Sequence, residues 1–504
     1  MATSSRASSS PSAGPSRKSV AAVAGAWLLV AVCAFALAGC KKILNGGSDE
    51  AQFHIRMVNT IEDSPTVQYS VDSTVISTAT YLANTSLAVA HPGDHTINFA
   101  YLPAASLNSS DSTAAVAIGG SFSQSWSQDR DYTVFAYGKM NDPKTFVMDE
   151  PSNKDAVADD FIEYQFVNAA PNAPSVDVYI TAPEGQINSP QKVGTIAFGE
   201  KTSAASLKLF RRADVTDTTA SLIVAFTIEL RDPATGAVLF NSGAQTLTEK
   251  TRLLWGIVNN IGAGPSRVRL LGLGDNTAGA VSTTNGAAVR AVHVSADSPP
   301  FDIFRDSTLT VPVARNLAFR DVSSYTPVPT GDVDLIAMPA SAASVVILFV
   351  EEFSAANNNN YSAYCAGPLG STDAMVILDD HRTVPTQSKF RFLSVAPSQN
   401  GQDALDVYVT LPGQVIDFNA STSATTDDAS TFKRGSISYL GAPTDYAVLR
   451  PGTYQVRLTP TGTSRVVLDT TITVEGGSVQ TYTLLDDPDT ASLELMPVEE
   501  AQVL

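Results

Sequence analysis

Two imidazoles and a carboxylate fall within five residues at His91-Pro92-Gly93-Asp94-His95, donor types that hold zinc or copper. Related stretches lack the ligands, since Arg450-Pro451-Gly452-Thr453-Tyr454 has Arg and Tyr where the histidines stand and Thr330-Gly331-Asp332-Val333 has neither. A Pro that fixes φ before a Gly free to take positive φ suits a type II turn. The segment is therefore read as an ordinary hairpin turn, and no metal ligand is assigned there. Acid pairs suit a hard cation better: Asp149 and Glu150 with Asp159 and Asp160, Asp379 with Asp380, and Asp486 and Asp487 with Asp489. Calcium takes roughly six to eight oxygens, and carboxylates converging at domain ends could supply them and stiffen the junctions. Solvated acidic linkers are the simpler reading, because no spaced calcium loop is present. Asp177, Asp302 and Asp406 recur at one strand position, where an Asp more often faces solvent or accepts from the N–H groups of a neighbouring corner than performs catalysis. No His-Glu-x-x-His, Gly-x-Ser-x-Gly or Gly-Lys-Ser/Thr pattern occurs, so no catalytic residue is assigned and no enzyme is expected.

The thiols point elsewhere. Arg6, Arg17 and Lys18 precede an uncharged run from Val20 to Gly39, and Leu37-Ala38-Gly39-Cys40 ends it. A basic stretch, an apolar stretch and small residues before a cysteine make a secretory leader of residues 1–39. Its end resembles the lipobox of bacterial lipoproteins, which implies that Cys40 carries diacylglycerol and further acyl chains after cleavage. Residues 40–51, with Lys41, Lys42 and a Gly/Ser run, then form a tether. Without an Asp after Cys40, the resemblance favours the outer membrane. Cys33 leaves with the leader, and Cys365 aligns with Ala136 inside a strand, as a small core side chain would.

Losing three positive charges and no negative ones with that leader takes the net charge from -18 to -21. So acidic a chain has no basic footprint for nucleic acid. Its 504 residues exceed what one core supports.

The elements that would position these residues repeat along the chain. Phe166-Val167-Asn168-Ala169-Ala170-Pro171-Asn172-Ala173-Pro174-Ser175-Val176-Asp177-Val178-Tyr179 finds counterparts starting at Met57, Val292 and Phe392. The Pro/Asn/Ser centre cannot continue a helix and its flanks alternate, so each copy reads as strand, corner, strand. Asp131-Tyr132-Thr133-Val134-Phe135-Ala136-Tyr137-Gly138 likewise matches Asn360-Tyr361-Ser362-Ala363-Tyr364-Cys365-Ala366-Gly367. Short strands with frequent turn signals give an all-β chain of four tandem antiparallel Ig-like β-sandwiches strung in a row, at residues 52–156, 160–276, 286–382 and 388–500. The repeat opening resembles an uncharacterised bacterial envelope domain family whose copies begin V-N-A-S-P-D-A-P-x-V-D-V-Y. The resemblance implies a secreted or anchored protein and carries no active site. Together these readings lead to the expectation of a lipid-anchored cell-envelope protein with a structural or adhesive role. It would meet the membrane through Cys40 and an envelope protein or polysaccharide through its loops. The alternative is a polysaccharide-binding module assisting a separate enzyme or transport system. Trp126 and Trp255 remain after cleavage, and Trp255 sits in an apolar strand that favours packing over sugar stacking.

Overall fold

Apolar and β-branched residues alternating between Pro, Gly and Asn turns favour short strands, and strands make up nearly all the regular structure of the computed structural model among the described residues. It describes residues 51–108, 110–152, 157–182, 187–209, 223–273, 278–281, 286–340, 347–420 and 431–500. Residues 1–39 and Cys40 lie outside the described residues. Eight sheets form, two around each of four hydrophobic cores.

One strand order serves all four repeats. In the third, the strands are Ala287–His293, Phe301–Phe304, Pro312–Leu317, Thr326–Val328, Gly331–Pro339, Phe349–Ala355, Asn360–Ala366 and Asp373–Asp379. One sheet runs fourth, first, seventh, eighth; the other runs third, second, fifth, sixth. The other repeats open with Phe53–Ile61, Phe161–Asn168 and Ser388–Ser394 and keep this order, the second adding Ala278–Val281 at an edge.

Two expectations about the strands need correction. The sheets are not wholly antiparallel, because the first and seventh strands pair in parallel in every repeat, as at Arg290↔Ser362 and Arg391↔Thr481. The five strands between them supply the long crossover that a parallel pair needs. Nor are the Pro-Gly and Thr-Gly segments hairpin turns. Ala88–Ala90 pairs with the first strand in one sheet, whereas Gly93–Tyr101 lies in the other, so His91-Pro92 carries the chain across the core. The same crossing follows Thr326–Val328 and Ala447–Leu449. Positive φ at Gly93 (137°) and Gly331 (95°) makes the bend, which side chains with a Cβ rarely adopt.

The sheet containing the first and seventh strands is covered on both faces. All seven residues of Ala287–His293, Asn360–Ala366 and Ser388–Ser394 are buried, the pattern of strands with no solvated side. Phe390 and Phe392 point into their own core. Leu393 and Val395 point outward, against Val292, Val294 and Tyr364 of the third repeat. Val58, Phe135 and Tyr137 of the first repeat meet Val167, Leu254 and Leu271 of the second in the same way. At Gly256 an added Cβ would stand 3.3 Å from the Phe135 ring, so glycine lets these sheets close up. The repeats are thus docked face to face in pairs, first with second and third with fourth. This replaces the expected end-to-end string.

The pairs also touch each other. Leu107, in the loop after the fifth strand of the first repeat, is buried in the core of the fourth. Arg450 fixes that loop, its Nε donating to the Ala104 carbonyl at 3.1 Å, and Ala105 bridges Leu449 at the sheet edge. Arg382, between the third and fourth repeats, donates to the Glu62 and Ser64 carbonyls of the first. Ala263 of the second repeat donates its N–H to the Asn358 carbonyl of the third at 3.2 Å.

Candidate functional site

The largest assembly of buried ionisable groups lies where the third and fourth repeats dock. It has two nearly equivalent halves, as two copies of one sheet facing each other should. In the third repeat, Arg290 donates from Nε to Ser362 Oγ at 2.8 Å, and its guanidinium carbon sits 4.7 Å from the centre of the Tyr325 ring. In the fourth, Arg391 donates from Nε to Thr481 Oγ1 at 2.8 Å and stacks over Tyr446 at 4.5 Å. Each half adds a carboxylate. Ser362 and Tyr325 both donate to Asp379 Oδ2 at 2.6 Å, while Thr481 and Tyr446 donate to Glu500. Arg391 ties the halves, with Nη2 3.1 Å from Asp379 Oδ1 and 3.1 Å from Glu500 Oε1.

Burial, followed by the nearby Glu500 carboxylate, raises the Asp379 pKa to about 6, although every hydrogen bond it accepts favours the anion. Burial also raises the Tyr325 and Tyr446 phenols, which therefore remain donors. His381 stacks edge-on to Tyr325 at 4.7 Å, and its buried Nε2 has no partner in the structure. Burial, then the Arg290 charge, lowers its pKa to about 4, so the ring is neutral. Lys389 Nζ, 2.5 Å from Asp380 Oδ2, closes the cluster. A desolvated network of this kind fixes how two surfaces meet, because each charge left unpaired would be costly.

Most of the calcium candidates are therefore engaged by cations or by hydrogen-bond donors. Asp379 serves the arginines, and Asp380 serves Lys389 and the Arg382 N–H. Asp149 pairs with Arg130, Glu150 lies 3.4 Å from Arg252, and Asp159 lies 2.6 Å from Lys250. Asp160 takes a positive φ of 63° in the turn before the second repeat's first strand. Asp486 accepts from Ser398, and Asp487 from the Asp489 N–H and Thr490. Among the described residues, no three His, Cys, Asp or Glu side chains are grouped as metal ligands.

At the His91 to His95 corner, His95 Nδ1 is 2.5 Å from Asp72 Oδ2 and Nε2 is 2.6 Å from the His91 carbonyl, so both ring nitrogens are engaged. Burial pulls the His95 pKa down, but these bonds outweigh it and the net shift is upward. The recurrent aspartates bind the third strand or the loop beside it. Asp177 reaches Thr195 at 2.6 Å and Lys192 at 2.7 Å. Asp302 holds Arg315 and the Asn316 N–H. Asp406 holds Lys433 and Ser436. All three lie beside register shifts in that strand pair, so they stabilise a bulged edge in place of facing solvent. Cys365 is fully buried and burial pushes its thiol pKa up, as for an inert core residue. Trp126 stacks on Phe53, and Trp255 packs beside Phe166; both are core.

Several structural residues escaped sequence reasoning. Asn59, two residues before the end of the first repeat's first strand, and Asn168, at the end of the second's, pin the Pro-rich corner: Asn168 donates to the Ala173 carbonyl at 2.8 Å and accepts from the Ala170 N–H at 3.0 Å. His293 replaces them in the third repeat, with Nδ1 accepting from the Ser295 N–H. The junction arginines had left a sign, a lone charge inside an apolar strand at Ile55-Arg56-Met57, Val289-Arg290-Ala291 and Phe390-Arg391-Phe392.

The family described as "Domain of unknown function (DUF4397)" matches residues 53–179 and 287–408. Each match takes in one whole repeat, the first strand of its docked partner and part of the partner's second strand. No curated protein matches the sequence. Among solved structures, the chain is similar at 9% identity to the Bacillus anthracis TIE protein, covering 87% of this chain and 75% of that one, with a TM-score of 0.15. A candidate adhesin from Bacteroides ovatus is 11% identical over 46% of this chain and 94% of its own, with a TM-score of 0.14. A candidate cell adhesion protein from Parabacteroides distasonis is 9% identical over 65% and 98%, with a TM-score of 0.13. Likenesses this slight carry no argument about what this chain binds.

Proposed function

We propose that this chain is a lipid-anchored cell-envelope protein, held in the outer membrane through Cys40, that acts as a structural or adhesive body and not as an enzyme. One observation carries the reading. The charged and amide side chains that recur between repeats are engaged in corners, bulged edges and junctions, and the surface left over is a set of polar sheet faces. In the fourth repeat that face shows Thr453, Thr471 and Thr473; in the first, Ser123 and Ser125; in the third, Asp332 and Asp334. Rigid, regularly spaced polar faces suit the recognition of another macromolecule. The acyl chains of a mature lipoprotein would hold one end stably, and a net charge of -21 after loss of the leader would keep the body off anionic headgroups.

The test is photo-crosslinking in living cells, with the crosslinker placed at Thr471 or Thr473 of the full chain. The expected result is a discrete adduct with an envelope macromolecule, lost when Thr453 and whichever of Thr471 and Thr473 does not carry the crosslinker are replaced together by Lys. A glycan adduct would select the polysaccharide-binding alternative, and turnover of an envelope polymer by the purified chain would overturn the non-enzymatic reading.

A further inference from the structure

Four residues after Asn59, Asn168 and His293, which pin the Pro-rich corners, stand Asp63, Asn172 and Asp297; Ser398 holds the same place after Ser394 in the fourth repeat. In three repeats this side chain is spent on the seventh strand or on the hairpin that follows it. Asp63 accepts from the Met140 N–H at 2.7 Å, Asp297 accepts from the Leu369 N–H at 3.0 Å, and Ser398 Oγ donates to Asp486 Oδ1 at 2.5 Å. The second repeat breaks the pattern. Its hairpin loop, residues 260–267, is longer than the equivalent loops at 140–141, 367–372 and 487–492, and a cavity of about 550 Å³ opens between that loop and the corner. Asn172 and Arg267 line it together with Asn260, Ser266, Pro265 and two glycines, and no acidic residue is among them.

The walls of the cavity are fixed. Asn172 donates its backbone N–H to Asn259 Oδ1 at 3.1 Å. Asn260 Nδ2 donates to the Ser266 carbonyl at 3.0 Å, and its Oδ1 accepts from the Gly262 N–H at 3.2 Å. Ser266 is buried, and its hydroxyl donates to the Leu239 carbonyl. The loop also leans on Asn358 of the third repeat, so closely that a Cβ on Gly262 would stand 2.2 Å from the Asn358 carbonyl oxygen. Two groups are left over. Among the described residues, neither the Arg267 guanidinium nor the Asn172 side-chain amide has a hydrogen-bond or ionic partner, and both residues are exposed.

We propose that this cavity, a site separate from the polar sheet faces, binds an acidic sugar, with Arg267 on the carboxylate and Asn172 on the ring hydroxyls. A guanidinium presents paired donors that match a carboxylate, and no acid in the lining competes for it. A side-chain amide both donates and accepts, as a hydroxyl does, whereas a carboxylate only accepts. The free amide therefore suits a hydroxylated ligand better than a bare acid. Apart from one proline the lining has no aliphatic or aromatic side chain, which leaves little apolar wall for a peptide. The volume lies within the range of small-ligand pockets, about 300–1,000 Å³.

The experiment titrates the full chain in detergent with methyl β-glucuronide, methyl β-glucoside and N-acetyl-aspartic acid amide, reading saturation-transfer NMR. Saturable binding of the glucuronide is expected, at least about tenfold tighter than the glucoside that lacks its carboxylate, and weakening as salt is added. Arg267→Gln should lower the affinity about tenfold or more. Asn172→Asp, which puts back the acid of the first and third repeats, should abolish binding by placing a resident carboxylate in the cavity. Both positions are exposed, so the melting temperature should not move in either variant. Equal affinity for the glucoside, undiminished binding in Arg267→Gln, or no saturable signal from any probe would overturn the proposal. Tighter binding of the aspartate probe would overturn the choice of a sugar and reassign the site to an acidic peptide.

Discussion

Replacing Arg391 by Met probes the junction most sharply, because Met keeps much of the stem and removes the charge. Arg391 is 5% exposed, and the side chains of Asp379 and Glu500 that share its Nη2 are 0% exposed. The variant leaves two carboxyls facing each other without their common cation. Breaking a buried pair on one side costs about 3–5 kcal/mol. For a cooperative unit of about 150–250 residues, each kcal/mol lowers the melting temperature by about 2–4 °C. The third–fourth pair should therefore melt roughly 6–20 °C lower in calorimetry of the full chain. The cost should also depend on pH. Asp379 has a folded pKa of about 6 against an ordinary 3.8. Its protonation thus contributes stability that is complete below the ordinary value and is lost as pH rises through the folded one. Without Arg391 that folded value climbs further, so the penalty should shrink between about pH 7 and pH 5. Glu500→Gln added to the variant should recover part of the loss at neutral pH. A cost under about 1 kcal/mol at neutral pH, or one that is the same at both pH values, would refute the claim that this network is desolvated and coupled.

Other perturbations test separate parts. His381 is held neutral, with its pKa moved from 6.5 to about 4, so it contributes stability present above the ordinary value and lost as pH falls through the folded one. His381→Gln should remove about 3 kcal/mol of acid sensitivity over that interval, read as a flatter plot of melting temperature against pH. Asn168→Ala leaves the buried Ala170 N–H without its acceptor and should cost about 1–3 kcal/mol, measured by urea unfolding followed through Trp255 fluorescence. Leu107→Ala should cost about 2–5 kcal/mol and speed amide exchange in Ala447–Leu449, the edge that the Leu107 loop covers.

The repeats, the all-β class and the recurrence of Asp177, Asp302 and Asp406 were legible because they depend on local alternation and on spacing within one chain. The parallel pair was not, since its partners are separated by five strands and no short motif records which strands become neighbours. The corners were misread for a related reason: Pro-Gly dictates a bend, but whether the next strand returns to the same sheet or crosses the core depends on the other sheet. The docked faces were half visible. Phe390-Arg391-Phe392-Leu393 alternates around a charge, which suggests a solvated outer face; that face is instead covered by a second copy bearing the complementary acid. Leu107 gave no signal, because an apolar residue in a polar loop has meaning only once the fourth repeat is beside it.

The proposed lipid anchoring of the envelope body depends on the Cys40 thiol. Cells expressing the full chain or Cys40→Ala would be labelled with radioactive palmitate and fractionated. Label is expected on the wild-type chain, recovered in the outer-membrane fraction, with loss of both label and membrane association in the variant. Undiminished labelling of Cys40→Ala, or a wild-type chain recovered unlabelled in the soluble fraction, would contradict it.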